Sequence, residues 1–256
     1  MTEILENITG CLPVYRVLNR EENLNFFRDV LGMKVLLEEG AMVWLGGHEA
    51  KTERILLEES PGVRSVIGAK KHARTVLRAK GAEIEQLLAQ NLSKVSKLYQ
   101  GKNGFAFEAV SPEHDLFLVT AESEETLIEV EKSAFSISGT VDFPGLSDFE
   151  FAAMNLNATE PALVPFFEEL FAVKAVNNTL DLPFVKLSET VTVGEDLAAA
   201  VDETLDLEFL VFKIAEDFDL AAFATRFSDA KGVYLDKSAK TFALDAPNNL
   251  EIWFAK

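Results

Sequence analysis

The feature that most constrains this chain is that it repeats itself. The stretch LPVYRVLNREENLNFFRDVLGMKVL, starting at Leu12, has an echo in FEFAAMNLNATEPALVPFFEELFAVKAV, starting at Phe149. Each offers an apolar strand, a polar cap, a Phe pair (Phe26–Phe27 and Phe166–Phe167), an acidic helix end and a second strand. A second pair of echoes joins AKKHARTVLRAKGAEI to DFDLAAFATRFSDAKGVYL, with Ala79-Lys80-Gly81 matching Ala230-Lys231-Gly232. A third joins FAFEAVSPEHDLFLV to TFALDAPNNLEIWF, with Pro112 against Pro247. Four copies of one βαβββ unit account for nearly the whole chain, and a unit of that kind cannot bury its own sheet face alone. Two units side by side give a curved mixed sheet of about eight strands, helices on the outer face and a hollow on the inner one. The predicted class is α+β.

Local signals place the elements. Asn19 with Glu22 three residues on is a capping-box variant, Leu24, Phe27 and Leu31 share one helical face, and Gly32 supplies a left-handed stop. MKVLLEE, AMVWLGG and ERILLEES then read as three strands. RSVIG reads as a short strand, and AKKHARTVLRAKG as a helix with Ala73, Val76 and Leu77 in register and Gly81 as its stop. Gly81 to Pro112 spans 31 residues and Gly232 to Pro247 only 15, so the first half is expected to carry an insertion near residues 85–101, long enough for a strand and a loop. Pro165 is expected to kink its helix or to move its start to about Val164. TLIEVEKSAFSI alternates well enough for a strand in the segment joining the halves. The predicted division is residues 1–122, a linker over 123–140, and 141–256.

Charge excludes one class of partner. The net charge is −18, with 15 basic and 19 acidic side chains over residues 1–128 and 9 and 23 over residues 129–256. Such a field repels phosphate backbones, so no nucleic acid is expected. No apolar run reaches membrane-spanning length, the first ten residues lack the basic start of a signal peptide, and the single Cys11 forbids an internal disulfide. The expectation is a cytoplasmic protein without a membrane partner.

The opening LPVYRVLNREENLNFFRDVLGMKVL and the endings SPEHDLFLV and APNNLEIWF resemble the glyoxalase / bleomycin-resistance family of the vicinal-oxygen-chelate superfamily. The resemblance implies tandem glyoxalase-like domains and, in the superfamily's enzymes, a metal held by His or Glu from the first and last strands of each unit. On those positions this chain has Leu12, and Leu118 near the second; only Glu150 and Glu251 fall near the remaining ones. They are the candidate ligands of a metal-dependent lyase or dioxygenase. No metal or other cofactor is expected, because leucine offers no lone pair to an octahedral ion. The tandem arrangement is similar to the CppA family of streptococci. That resemblance implies a proteinase, hence a hydrolase, that degrades the third component of complement, with a host protein as partner and action outside the cell.

A peptide hydrolase needs an activated nucleophile and an oxyanion stabiliser. Neither a G-x-S-x-G elbow nor a D-[ST]-G triplet is present, and HEAKT is not H-E-x-x-H, because Thr52 stands at the second His position. The catalytic candidates are Cys11 as nucleophile and His48 with Glu49 as base and orienter. His72 is expected on an exposed helix face and His114 in a hairpin turn. A third reading is a non-catalytic module that binds a peptide or small apolar ligand, with Trp44, Phe105, Phe107 and Trp253 lining the hollow.

Overall fold

Apolar side chains on both faces make the first strand, β1 (Ile8–Val17), buried over most of its length. Asn19 caps α1 (Arg20–Asn25), its side-chain oxygen accepting the N–H of Glu22 at 3.2 Å. The helix widens into a π turn over Phe26–Val30 and stops at Gly32, whose φ of +69° needs a residue without Cβ. The strands β2 (Lys34–Glu39), β3 (Met42–Gly46) and β4 (Ile55–Glu59) follow as an antiparallel meander. The structure is a computed structural model and describes residues 4–136, 139 and 142–256.

The second module opens with the short β5 (Arg64–Ser65) and continues through β6 (His72–Arg78), α2 (Gly81–Asn91), β7 (Lys97–Gly101), β8 (Gly104–Val110) and β9 (Leu116–Thr120). A three-residue strand, β10 (Ile128–Val130), then pairs antiparallel with β7. The third module is β11 (Glu150–Ala158), α3 (Leu163–Phe171), β12 (Thr179–Leu182) and β13 (Val185–Val191), followed by β14 (Thr204–Leu205). The fourth is β15 (Leu207–Ile214), α4 (Leu220–Ala224), β16 (Tyr234–Leu235), β17 (Thr241–Ala246) and β18 (Leu250–Ala255). Four βαβββ-type modules therefore make an α+β chain of mixed sheets, in which each opening strand runs parallel to a later strand of its module in three of the four: β6 with β9, β11 with β13 and β15 with β18.

Contacts group the residues into two compact units, one of Met1–Arg16, Gly62–Ala73 and Met154–Lys256, the other of Val17–Pro61 and Arg74–Ala153. In the first unit, β16, β17, β18, β15 and β1 lie side by side, and α4 packs on β17. Its core is phenylalanine: Phe223 of α4 sits edge-on to Phe254 at 5.3 Å, and Phe254 stacks with Phe212 at 5.8 Å. In the second unit, β10, β7, β8 and β9 form the ladder under α2, and Phe27 meets Phe117 edge-on at 5.4 Å. Burying such a ring is worth roughly 1.5–3 kcal/mol, and each edge-on pair adds about 1.

Two expectations are corrected. Residues 72–78 form strand β6, not a helix, and His72 is buried beside Tyr15, their rings edge-on at 5.1 Å. Ala73, Val76 and Leu77 fit a helical face, but Thr75, Val76 and Leu77 are buried on both faces of the strand, and so short an apolar stretch cannot separate the two by spacing. Gly81 accordingly opens α2 and does not close a helix. The segment near 85–101 holds that module's own helix and β7, so no insertion is needed. The matched Gly232 lies instead in a left-handed turn after α4, at φ +66°. Pro165 sits in the first turn of α3, where its missing N–H costs nothing. The strand expected from TLIEVEKSAFSI is realised as β10 alone; its last residue, Ile137, lies outside the described residues. No helix among the described residues is long and apolar enough to cross a membrane.

Candidate ligand sites on the two sheets

Strand β18 alternates. Leu250, Ile252 and Phe254 are buried on the helix-covered face, while Glu251, Trp253 and Ala255 are half-buried on the other. Trp253 donates its indole Nε1–H to Glu251 Oε2 at 2.8 Å, which fixes both side chains. Register places Val211 of β15 and Ala243 of β17 on either side of Trp253, and Tyr234 of β16 opposite Ala243. Directly opposed residues share a face. The indole therefore lies in a row of three rings, with Phe209 at 5.3 Å and Tyr234 at 6.3 Å. Tyr234 is 51% exposed, so the row opens to solvent at the sheet edge. An amphipathic, partly wet aromatic surface with a fixed carboxylate beside it is what recognition surfaces are made of.

Cys11 stands in register with Phe212, on the helix-covered side of β1, and Leu12 with Val211, on the Trp253 side. The Cys11 thiol is buried, and desolvation pushes its pKa up to about 12. It is a protonated thiol at neutral pH, and the thiolate is the nucleophile. In the same unit, Lys71 is 2% exposed; its N–H donates to Asp206 Oδ2 at 2.6 Å and its Nζ to the Ala199 carbonyl at 2.7 Å. Burial pulls its pKa below the ordinary lysine value against the opposing pull of Asp206, Glu203, Glu251 and Asp196. Asp196 in turn takes a two-pronged grip from Arg64 at 2.5 and 2.6 Å and the Ile67 N–H at 2.6 Å, which hold its pKa down at about 2.

The other catalytic candidates lie in the second unit. The His48 N–H donates to the Leu146 carbonyl and the Glu49 N–H to the Ser147 carbonyl, both at 2.8 Å. The His48 Nε2 is buried without a hydrogen-bond partner among the described residues, and desolvation, with the charge of Lys34 second, lowers the imidazole pKa. Glu49 is exposed, and no hydrogen bond joins it to His48 among the described residues. Trp44 is half-buried on β3 between Leu37 and Leu56. Phe107 is fully buried, in register with Val119 on the face that α2 covers, so it has no surface left for a ligand. Phe105 is half-buried and edge-on to Phe135 at 5.2 Å.

The opposite face of that sheet carries a polar cluster that sequence reasoning missed. Arg74 of β6 donates to Glu108 of β8 at 3.3 Å and pairs with Glu124 from the segment before β10. Tyr99 of β7 lies beside Glu108 on that face; burial, then the charge of Glu108, raises its phenol pKa. Beside this cluster Val76, Ala106 and Leu118 form a small apolar patch on which Tyr99 and Leu127 pack.

The superfamily's metal does not fit these residues. Leu12 and Leu118 are buried and carry no donor atom, Glu150 is exposed at the start of β11, and Glu251 is engaged by the Trp253 indole. No group of three or more His, Cys, Asp or Glu side chains is poised around a common point among the described residues. An octahedral ion with open positions needs more than that.

Module order and sheet pairing define a tandem protein of the glyoxalase-like fold, and comparisons place it further. Residues 11–130 match the CppA N-terminal family and residues 146–254 the CppA C-terminal family. The cppA protein of Streptococcus pneumoniae TIGR4 superposes with a TM-score of 0.77 at 31% sequence identity, over 97% of this chain and 98% of that one. The chain belongs to the CppA family. Glyoxalase I from Zea mays superposes with a TM-score of 0.60 at 12% identity, over 98% of this chain and 92% of that one, a likeness of fold alone. No curated protein matches the chain.

Proposed function

We propose that this CppA-family protein is a binding protein on a glyoxalase-like scaffold, and that it receives an apolar or peptide ligand on the Phe209–Trp253–Tyr234 face. The observation that carries this reading is the locked Trp253–Glu251 pair inside a row of half-exposed rings. Aromatic side chains with few rotamers lose little entropy on binding, and the fixed carboxylate adds direction. A metal-dependent lyase or dioxygenase has no matching donor set to support it.

The family resemblance supplies the finer reading, a proteinase acting on the third complement component, and with it a host partner. It is supported by family membership. The buried, protonated thiol of Cys11 and the separated His48 and Glu49 lend it no nucleophile. One preparation tests both readings. The protein is labelled with 5-fluorotryptophan, giving one fluorine signal each for Trp44 and Trp253, and titrated with pools of apolar peptides and, separately, with the purified complement component. Binding at the proposed face moves the Trp253 signal and leaves Trp44 in place. Silence of both signals with every pool rejects the binding reading. New fragments of the complement component on a gel, persisting in Cys11→Ala, would establish hydrolysis and clear the cysteine.

A further inference from the structure

The segment between β9 and β10 behaves as a strap across the second unit's sheet. Its start is anchored: Glu122 accepts the Asn103 N–H at 2.7 Å and the Thr126 hydroxyl, contacts that hold its carboxyl below the usual range. Beyond the anchor, two side chains reach the sheet. Glu124 sets its carboxylate on Arg74, and Leu127 packs on the patch of Val76, Ala106 and Leu118.

These two contacts differ from ordinary core packing. Glu108 is 6% exposed, so it needs the Arg74 charge permanently. Arg74 spends one part of its fork there and offers the rest to Glu124, whose side chain is 39% exposed. An exposed ion pair of this kind is worth about 0–1 kcal/mol and exchanges readily for another carboxylate. Beyond it the strap is held by the three-residue β10 on β7 and by Glu129 on Lys97 at 3.3 Å, while Ile128 is 70% exposed and a hollow of about 620 Å³ lined by Lys97, Leu98, Glu129 and Val130 runs alongside.

We propose that Glu124 and Leu127 are an internal stand-in for a ligand. The sheet face holding Arg74, Tyr99 and the Val76–Ala106–Leu118 patch is a second binding site, for an extended peptide that presents a carboxylate and, three residues later, an aliphatic side chain. The strap keeps the site shut until such a peptide displaces it. The site is independent of the Trp253 face.

The test uses a blocked synthetic peptide of residues 123–130, SEETLIEV, added to the full chain and followed through methyl signals of Val76 and Leu118. Wild type binds it weakly, because the apparent affinity is scaled by the fraction of molecules with the strap open. The strap variant E124Q/L127S binds it about tenfold more tightly or better, and adding Arg74→Lys to that variant removes most of the gain. A folded strap variant that binds no more tightly than wild type overturns the proposal, as does equal binding after Arg74→Lys. Amide exchange in wild type supplies a check that needs no variant: residues 127–130 exchange through an opening at least about ten times more frequent than that of β8. Equal protection of the two would also overturn it.

Discussion

The sheet faces of the two units are built from the same module and filled in opposite ways. In the first unit the face away from the helix carries Phe209, Trp253 and Tyr234 in a row that stays partly wet. In the second unit the corresponding face carries Arg74, Glu108 and Tyr99, and the chain's own Glu124 and Leu127 lie on it. The helix-covered faces, by contrast, are alike: Phe212, Phe242 and Phe254 in one, Phe107 and Phe117 in the other, all fully buried. The scaffold is held by one side of each sheet, which leaves the other side free to diverge between an open aromatic surface and a closed polar one.

If that division is right, the largest effects come from the shared faces and are equal in the two units. Phe254→Ala and Phe117→Ala should each cost about 3–5 kcal/mol in denaturant unfolding, since each leaves a cavity in a full core. A loss below about 1 kcal/mol at either position would mean that the face is not the one holding its unit together. Next comes Arg74→Met, which strands a buried Glu108 and should cost about 2–3 kcal/mol. Arg74→Met combined with Glu108→Leu should recover most of it; a double variant as unstable as the single one breaks the claim that the pair is a local polar insert.

A smaller contrast is set by acid. Asp196 in the first unit has its pKa lowered to about 2 by Arg64 and the Ile67 N–H, and Asp236 to about 2 by Ser238 and the backbone of Thr241 and Lys240. A carboxyl depressed on folding stabilises the native state above its unfolded value, roughly 3.9, and loses that contribution as pH falls toward 2. Melting temperature should therefore drop between about pH 4 and pH 2, and Asp196→Asn should flatten part of that slope while lowering stability at neutral pH. A slope unchanged in both Asp196→Asn and Asp236→Asn would place the acid sensitivity elsewhere. The smallest expected effect is Glu251→Gln, which keeps an acceptor for the Trp253 indole and should change stability by less than about 1 kcal/mol while altering Trp253 emission.

Much of this was legible in the sequence where the signal is local. Asn19, Glu22 and Gly32 mark the first helix because a cap and a left-handed stop are written in adjacent residues. The repeat gave the module count, and EIWF was read as a strand lining the hollow, where the structure sets Trp253 on the face away from the core. What failed was any inference that needs a partner. Thr75, Val76 and Leu77 are buried on both faces of β6, which erases the period that separates strand from helix. Phe107 looked available because alternation says which residues share a face but not which face the helix covers. Phe209, Tyr234, Arg74, Tyr99 and Glu108 were not singled out, since only strand register between distant segments brings them together.

The comparison of the two faces is tested most directly by a single spectrum. Protein labelled at Trp indoles and at Leu and Val methyls, titrated with a pool of uncharged apolar peptides, reports both faces at once. The account predicts that the Trp253 Nε1–H signal moves while the methyls of Val76 and Leu118 beneath the strap, and of Leu127 in it, stay still. Movement of those methyls with Trp253 unchanged would contradict it.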